Sequence, residues 1–411
     1  MKSRKETWIA LFVVAVGLLL AAILGLFAYV SATATPLHPD PKAVPSVTHG
    51  ALSRQWAGAV EQGRQIVRTA ITEQNLPGLS VAVGAGGDLV WAEGFGWADL
   101  ENRAPVAPQT RFRIGTASVA LTSAAVGLLL EKGRLKLDDE SQTYVPAFPA
   151  KQWPVTMRQL MGHLAGVRHY RGEEDYMPSA HCERALEGVQ NFAADPLRFE
   201  PGTQFRYSTY GWVLVSAAIE AAANEPFPAF MRSQIFEPLG MGDTTTDSPK
   251  EPIPDRATFY FPRFNEDTHY GPEVATEVDY SCFAGAGAFL STPSDLVQFG
   301  IAINNGKLLR PDTVAMLQAP QRLTSGEENS YGLGWDLETV PLAGEPTRVA
   351  GCGRPLLAEA VMLGGSTSLL VFPERGLVVS VTSNISFADP SAVALRIAEA
   401  FAEHEKSPFR K

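Results

Sequence analysis

Cysteine is scarce in this 411-residue chain: Cys182, Cys282 and Cys352 stand far apart and are odd in number. That argues against a disulfide-built scaffold, matches no common zinc spacing, and allows at most one bridge within the chain. Each cysteine reads most simply as a small buried hydrophobe. Charge is sparse as well, at 19% of residues, and no Lys/Arg-rich run occurs. With 34 basic against 44 acidic residues the formal net charge is −10, which argues against nucleic acid and anionic lipid surfaces as partners. Internal repeats are absent, and nothing calls for a metal or a cofactor.

What is present starts with Trp8–Val30, a run without a charged or strongly polar side chain, about long enough to cross a bilayer as a helix. Lys2, Arg4 and Lys5 precede it and no basic residue follows until Lys42, so a retained span would leave residues 1–7 in the cytoplasm and export the rest. A cleaved signal peptide is the rival, because Ala32-Thr33-Ala34 resembles a cleavage site; the run exceeds a usual signal core of about 7–15 residues, which favours an anchor. Residues 31–50 are polar and hold Pro36, Pro39, Pro41 and Pro45, as in a semi-stiff spacer that lifts residues 51–411 off the membrane. Hydrophobic residues make up 45% of the chain, which suits a globular body with a sizeable core.

Within that body the apolar spacing predicts a helix over roughly Leu52–Glu73, stopped by Pro77-Gly78. Leu79–Val83 and Leu89–Phe95 read as a hairpin around Gly84–Asp88. Ala117–Lys132 reads as a helix buried on all sides, and about Leu135–Pro262 as mostly helix and loop. Thr367–Phe372 and Leu377–Thr382 form a second hairpin, followed by an amphipathic helix over about Ser391–His404. Strands at both ends with a helical middle imply an α+β fold: one antiparallel sheet built from both termini, flanked by the terminal helices, with an inserted helical lobe.

Several runs occur in an order that resembles the penicillin-binding-protein and serine β-lactamase superfamily, class C-like branch. They include Phe112-Arg113-Ile114, His163–Tyr170, Tyr207-Ser208-Thr209, Leu239-Gly240-Met241, Gly285–Thr292 and Tyr331–Trp335. The resemblance implies a β-lactamase/transpeptidase-like fold and an acyl-transfer ancestry on peptides, esters or β-lactams. It also locates three motifs. Thr116 stands at the serine nucleophile and Val119 at the lysine of Ser-x-x-Lys. Tyr207 stands at the tyrosine of Tyr-x-Asn, with Thr209 at its Asn. Gly351-Cys352-Gly353 is the best match to the Lys/His-Thr-Gly strand that lines the substrate, followed by an unusually long connection, Arg354–Leu363. Of the ionisable groups only Tyr207 survives, although the backbone N–H of Thr116 would still serve an oxyanion hole.

The chemistry therefore reads as damaged. A positioned general base contributes about 10²–10⁴ in rate, and Val119 accepts no proton. Valine in place of a buried amine also removes a desolvation cost and adds packing. The expectation is a catalytically degenerate, membrane-anchored protein that keeps a peptide-, ester- or β-lactam-like binding cleft. The alternatives are an active hydrolase that uses Thr116 with a base from elsewhere, or a structural, self-associating membrane protein. Plainer roles stand beside each candidate: Thr116 as a helix cap, Ser118 turned away from it by about 200°, Cys352 as an inert buried thiol, and Arg354 and Glu359 as solvated loop residues. His163, His169 and His181, with Glu173, Glu174 and Asp175 between them, match no standard ligand set, and His163 and His169 lie in a run whose role reads as structural.

Overall fold

Strands from the two ends of the chain meet in one sheet. The computed structural model describes residues 4–48, 54–352 and 362–406. Helix α1 (Arg4–Thr33) comes first, then strand β1 (Ser46–Thr48), helix α2 (Ala57–Glu73) and the hairpin β2 (Gly78–Ala85) and β3 (Asp88–Asp99). The helical lobe follows, led by α3 (Ala117–Glu131) and α4 (Thr209–Ala223), with a small hairpin, β4 (Tyr260–Pro262) and β5 (Pro272–Val274), behind it. Helix α5 (Pro293–Asn304) returns to the sheet. Strands β6 (Asp336–Leu342), β7 (Glu345–Cys352), β8 (Ser366–Phe372) and β9 (Leu377–Ser383), and helix α6 (Pro390–Lys406), complete the chain. The sheet runs β1-β3-β2-β9-β8-β7-β6 with every neighbour antiparallel. Both expected hairpins form, and the two halves join where Leu79 faces Ser383 and Ala85 faces Leu377.

Alternation along the strands sorts side chains between two cores. Leu79, Val81 and Val83 of β2, with Val379 and Val381 of β9, face α2 and α6, where Trp56, Trp91 and Phe401 stack. The opposite face receives α5, which lies so close that a Cβ on Gly84 would fall 2.7 Å from Ile301 Cδ1. Helix α3 is apolar on almost every side and lies within the larger core, shared by the sheet and the lobe, so its lack of an amphipathic stripe follows from its position.

Two expectations change. The Pro-rich stretch does not run free: Leu37 N–H donates to Asn75 Oδ1 (2.8 Å), His38 and Val44 are buried, and β1 pairs with Phe95–Glu93 of β3. Composition suggested a spacer, but an open sheet edge with unpaired backbone groups captures an extended segment. Cysteines 182 and 282 are not simply buried hydrophobes, for they form a disulfide across 100 residues of sequence. Cys352 stays a buried thiol.

His163 locks the lobe. Its Nδ1 accepts the Ser208 N–H (3.1 Å), so the ring proton sits on Nε2, which donates to Tyr331 Oη (3.2 Å). The rings of Phe205, Tyr207 and Tyr331 surround it. Burial drives its pKa down to about 3. Because the folded value lies below the unfolded one near 6.5, the stability from neutral His163 is full above pH 6.5 and drains as pH falls towards 3, at about 1.4 kcal/mol per unit. Urea midpoints at pH 7 and pH 5 should therefore show a loss of about 2 kcal/mol from this group, and His163→Gln should flatten that slope while lowering the pH 7 midpoint. Reduction of the disulfide is expected to destabilise the body by about 2–5 kcal/mol, read as a lower melting temperature that Cys282→Ser reproduces without reductant.

Candidate active site

The turn before α3 is fixed by one buried cation. Arg113, almost wholly buried, donates from Nε to Asp247 Oδ2 (2.7 Å) and from Nη1 to the Leu363 carbonyl (2.8 Å). Its guanidinium lies over the rings of Phe259 (4.2 Å) and Tyr280 (5.0 Å). Arg113 O accepts the Thr367 hydroxyl (3.4 Å). Ile114 then enters the core and Gly115 turns the chain at φ 50°, a left-handed conformation glycine takes without strain. That turn presents Thr116 at the mouth of α3. Thr116 has helical backbone angles (φ −64°, ψ −15°) and makes no side-chain capping bond, so the capping role expected for it is not realised.

Ten of the described residues line the cleft over Thr116: Gly115, Thr116, Tyr170, Tyr207, Thr209, Tyr280, Phe283, Ala286, Gly287 and Met362. None carries an amine, an imidazole or a carboxylate. Val119 is 3% exposed within the apolar core, one turn along α3. Tyr207 is buried, 4.5 Å from the ring of His163 and 5.3 Å from that of His169, and its hydroxyl makes no hydrogen bond among the described residues. Burial holds the phenols of Tyr170 and Tyr207 above their ordinary pKa and pushes Tyr280 up to about 12. All three therefore stay protonated at neutral pH and take no proton from Thr116. Thr209 begins α4, where Ser208 is the cap, and its N–H donates to His169 Nδ1 (3.3 Å).

The third motif is shifted from its expected presentation. Gly351 pairs with Leu370 and Asp336, but a side chain there would point at Leu369 O, 2.8 Å away on β8. Cys352 is the residue turned towards α3, with Sγ 4.0 Å from Gly334 O, and its pKa is raised by burial and by Asp336. Gly353, Arg354 and Glu359 lie outside the described residues. Ser118 is wholly buried, its Oγ without a partner, so it meets no substrate.

Among the described residues no ligand-sized cleft opens over Thr116. The volume of the cleft is about 20 Å³, room for one water, whereas small-molecule sites run to roughly 300–1,000 Å³. Met362 closes it: a Cβ on Gly287 would meet Met362 Cε at 3.0 Å, and one on Gly115 would meet Met362 Cβ at 3.5 Å. Tyr170 stacks on Phe283 (5.5 Å) at the same wall. Sequence reasoning missed Met362 and Tyr280, which lie far from Thr116 along the chain and carry no motif. The only hint was the long connection that ends at Leu363.

Residues 63–403 match the Beta-lactamase family. The serine beta-lactamase-like protein LACTB of Homo sapiens is 30% identical over 452 residues, covering 85% of this chain and 81% of that protein. A beta-lactamase of Escherichia coli K12 is 26% identical, covering 82% of this chain and 92% of that protein. Among solved structures, a D-amino acid amidase from Ochrobactrum anthropi SV3 superposes with a TM-score of 0.69 at 24% identity, over 85% of this chain and 99% of that one. The sheet, the lobe and the ordered motifs have one explanation: the chain belongs to the Beta-lactamase family, in the serine β-lactamase and penicillin-binding-protein superfamily.

Proposed function

We propose that this protein is a membrane-tethered, catalytically degenerate member of its family that acts through its surface, as a structural or self-associating protein, rather than by acyl transfer. The observation that carries this reading is the lining of the cleft over Thr116, which among the described residues offers no amine, imidazole or carboxylate to accept a proton. Thr116 is a secondary alcohol that stays protonated near neutrality, and its three phenol neighbours are stronger in their protonated form than usual. Loss of one member of a catalytic unit can cost about as much as loss of all, roughly 10⁶ in rate. The small volume of the cleft weighs against a peptide, ester or β-lactam-like ligand. Helix α1, whose segment Trp8–Thr33 is long and apolar enough to cross a membrane, would be the tether. The basic residues before it support a cytoplasmic N-terminus with the body on the exported side.

A second reading has one observation in its favour. His169 packs edge-on against Tyr207, so an imidazole is near the site, though its Nδ1 is occupied by the Thr209 N–H. In that case the Thr209 N–H would have to release His169 Nδ1, which would then accept the Thr116 proton relayed through Tyr207.

Purified full-length protein should hydrolyse nitrocefin and a simple thioester no faster than its Thr116→Ala variant, and a fluorescent β-lactam should leave no covalent label. Turnover that vanishes in Thr116→Ala would falsify the degenerate reading, and loss in His169→Ala would point to the second. Val119→Lys should not create activity. Placing an unpaired amine in that apolar site is expected to cost several kcal/mol and to lower the melting temperature by several degrees.

A further inference from the structure

Phe27 lies inside the apolar stretch Trp8–Thr33, yet its ring is 6.2 Å from both Phe264 and Tyr270 of the body. Those two rings meet edge-to-face at 5.5 Å. Beyond Phe27 the body grips the end of α1. Val30 is buried, and Arg263 donates from Nη2 to Thr33 Oγ1 (3.0 Å) and from Nη1 to the Thr33 carbonyl (3.4 Å). The loop joining β4 to β5 is anchored from behind, since Arg263 N–H donates to Gly271 O (3.0 Å) and Asn75 Nδ2 to His269 O (3.4 Å). Its tip is formed by Asn265 and Glu266, both exposed and both at positive φ (52° and 56°).

Length turns this contact into a position. From Trp8 to Phe27 an α-helix rises about 28 Å, close to the roughly 30 Å hydrocarbon core of a bilayer. With Trp8 at one boundary, Phe27 falls at the other, in the band where aromatic rings concentrate. The remaining turn and a half, to Thr33, is the part the body holds. A body fastened there carries Phe264 and Tyr270 at the level of Phe27.

We infer that the Arg263–Gly271 loop is a membrane-seated contact: Phe264 and Tyr270 rest in the headgroup layer of the bilayer that α1 crosses and set the orientation of the body on it. The inference rests on the anchor reading of α1. The partner is a zwitterionic lipid surface. Net charge −10, exposed Glu266 and the Asp267 carboxylate beside it repel anionic headgroups, so attachment comes from ring burial and not from charge.

The test uses the full chain in phosphatidylcholine vesicles carrying headgroup nitroxides. A fluorophore is placed on His269→Cys, an exposed position of the loop, or on Glu374→Cys, an exposed turn at the opposite end of the central strands. In the fraction that floats with vesicles, quenching at position 269 is expected to exceed that at 374 by at least about threefold, and Phe264→Ser is expected to reduce it without changing flotation. Equal quenching at the two positions in floating protein overturns the loop contact and leaves the anchor standing. Protein that stays at the bottom of the gradient overturns both.

Discussion

Arg113 and Asp247 form the interaction on which the site depends. Both side chains are almost completely removed from water, and Arg256 contributes a second guanidinium at 2.9 Å from Asp247 Oδ1. A buried charge without its partner costs about 3–5 kcal/mol, so this cluster holds its geometry or the region fails. Two aromatic rings, Phe259 and Tyr280, cover the guanidinium of Arg113. One hydrogen bond from Arg113 reaches Leu363 O, and Leu363 N–H donates to Tyr280 Oη (3.1 Å). The strand that delivers Gly115 and Thr116 is thereby tied to the residues that place Met362 above them. The same clamp sets the attacking position and closes it.

Around that clamp the energetic choices favour stability over chemistry. Val119 fills a core position that a lysine would occupy only at a desolvation cost. Burial keeps the three cleft tyrosines protonated, whereas a working base needs a pKa near the ambient pH. His163, a few ångströms from Tyr207, is committed through both ring nitrogens and kept neutral by burial. Each feature is ordinary for a core. Together they make the surroundings of Thr116 resemble a packed core, which is what the proposed degenerate reading requires.

The N-terminal end follows the same logic of capture. Pro-rich sequence ordinarily signals a solvated linker. Here His38 and Val44 are buried and β1 adds to the sheet edge beside β3, while Arg263 holds Thr33. The resulting attachment is short and directional. It joins the apolar helix to the same side of the body that carries Phe264 and Tyr270.

Much of this was legible in the chain. Apolar runs around the turn residues Gly84–Asp88 and Pro373–Gly376 placed the two hairpins, and the almost wholly apolar run from Ala117 marked a helix buried on all sides, because turn chemistry and hydrophobic patterning are local properties. The ordered runs from Phe112-Arg113-Ile114 to Tyr331–Trp335 carried the family, and Thr116 and Val119 stood out only against that family's Ser-x-x-Lys pattern. Three facts were not legible. The Cys182–Cys282 bridge joins residues 100 positions apart, and no local pattern records such a pairing. Cys352 rather than Gly351 turns towards α3, because strand register decides which side of a sheet a residue faces. Met362 closes the cleft through contacts with Gly115 and Gly287, which are distant in sequence. The sequence by itself determined which residues stand at the family's motif positions, since residue identity fixes what can accept a proton. Only the tertiary structure decided which of the described residues stand around Thr116 and how little space they leave, because proximity and volume depend on how distant segments pack.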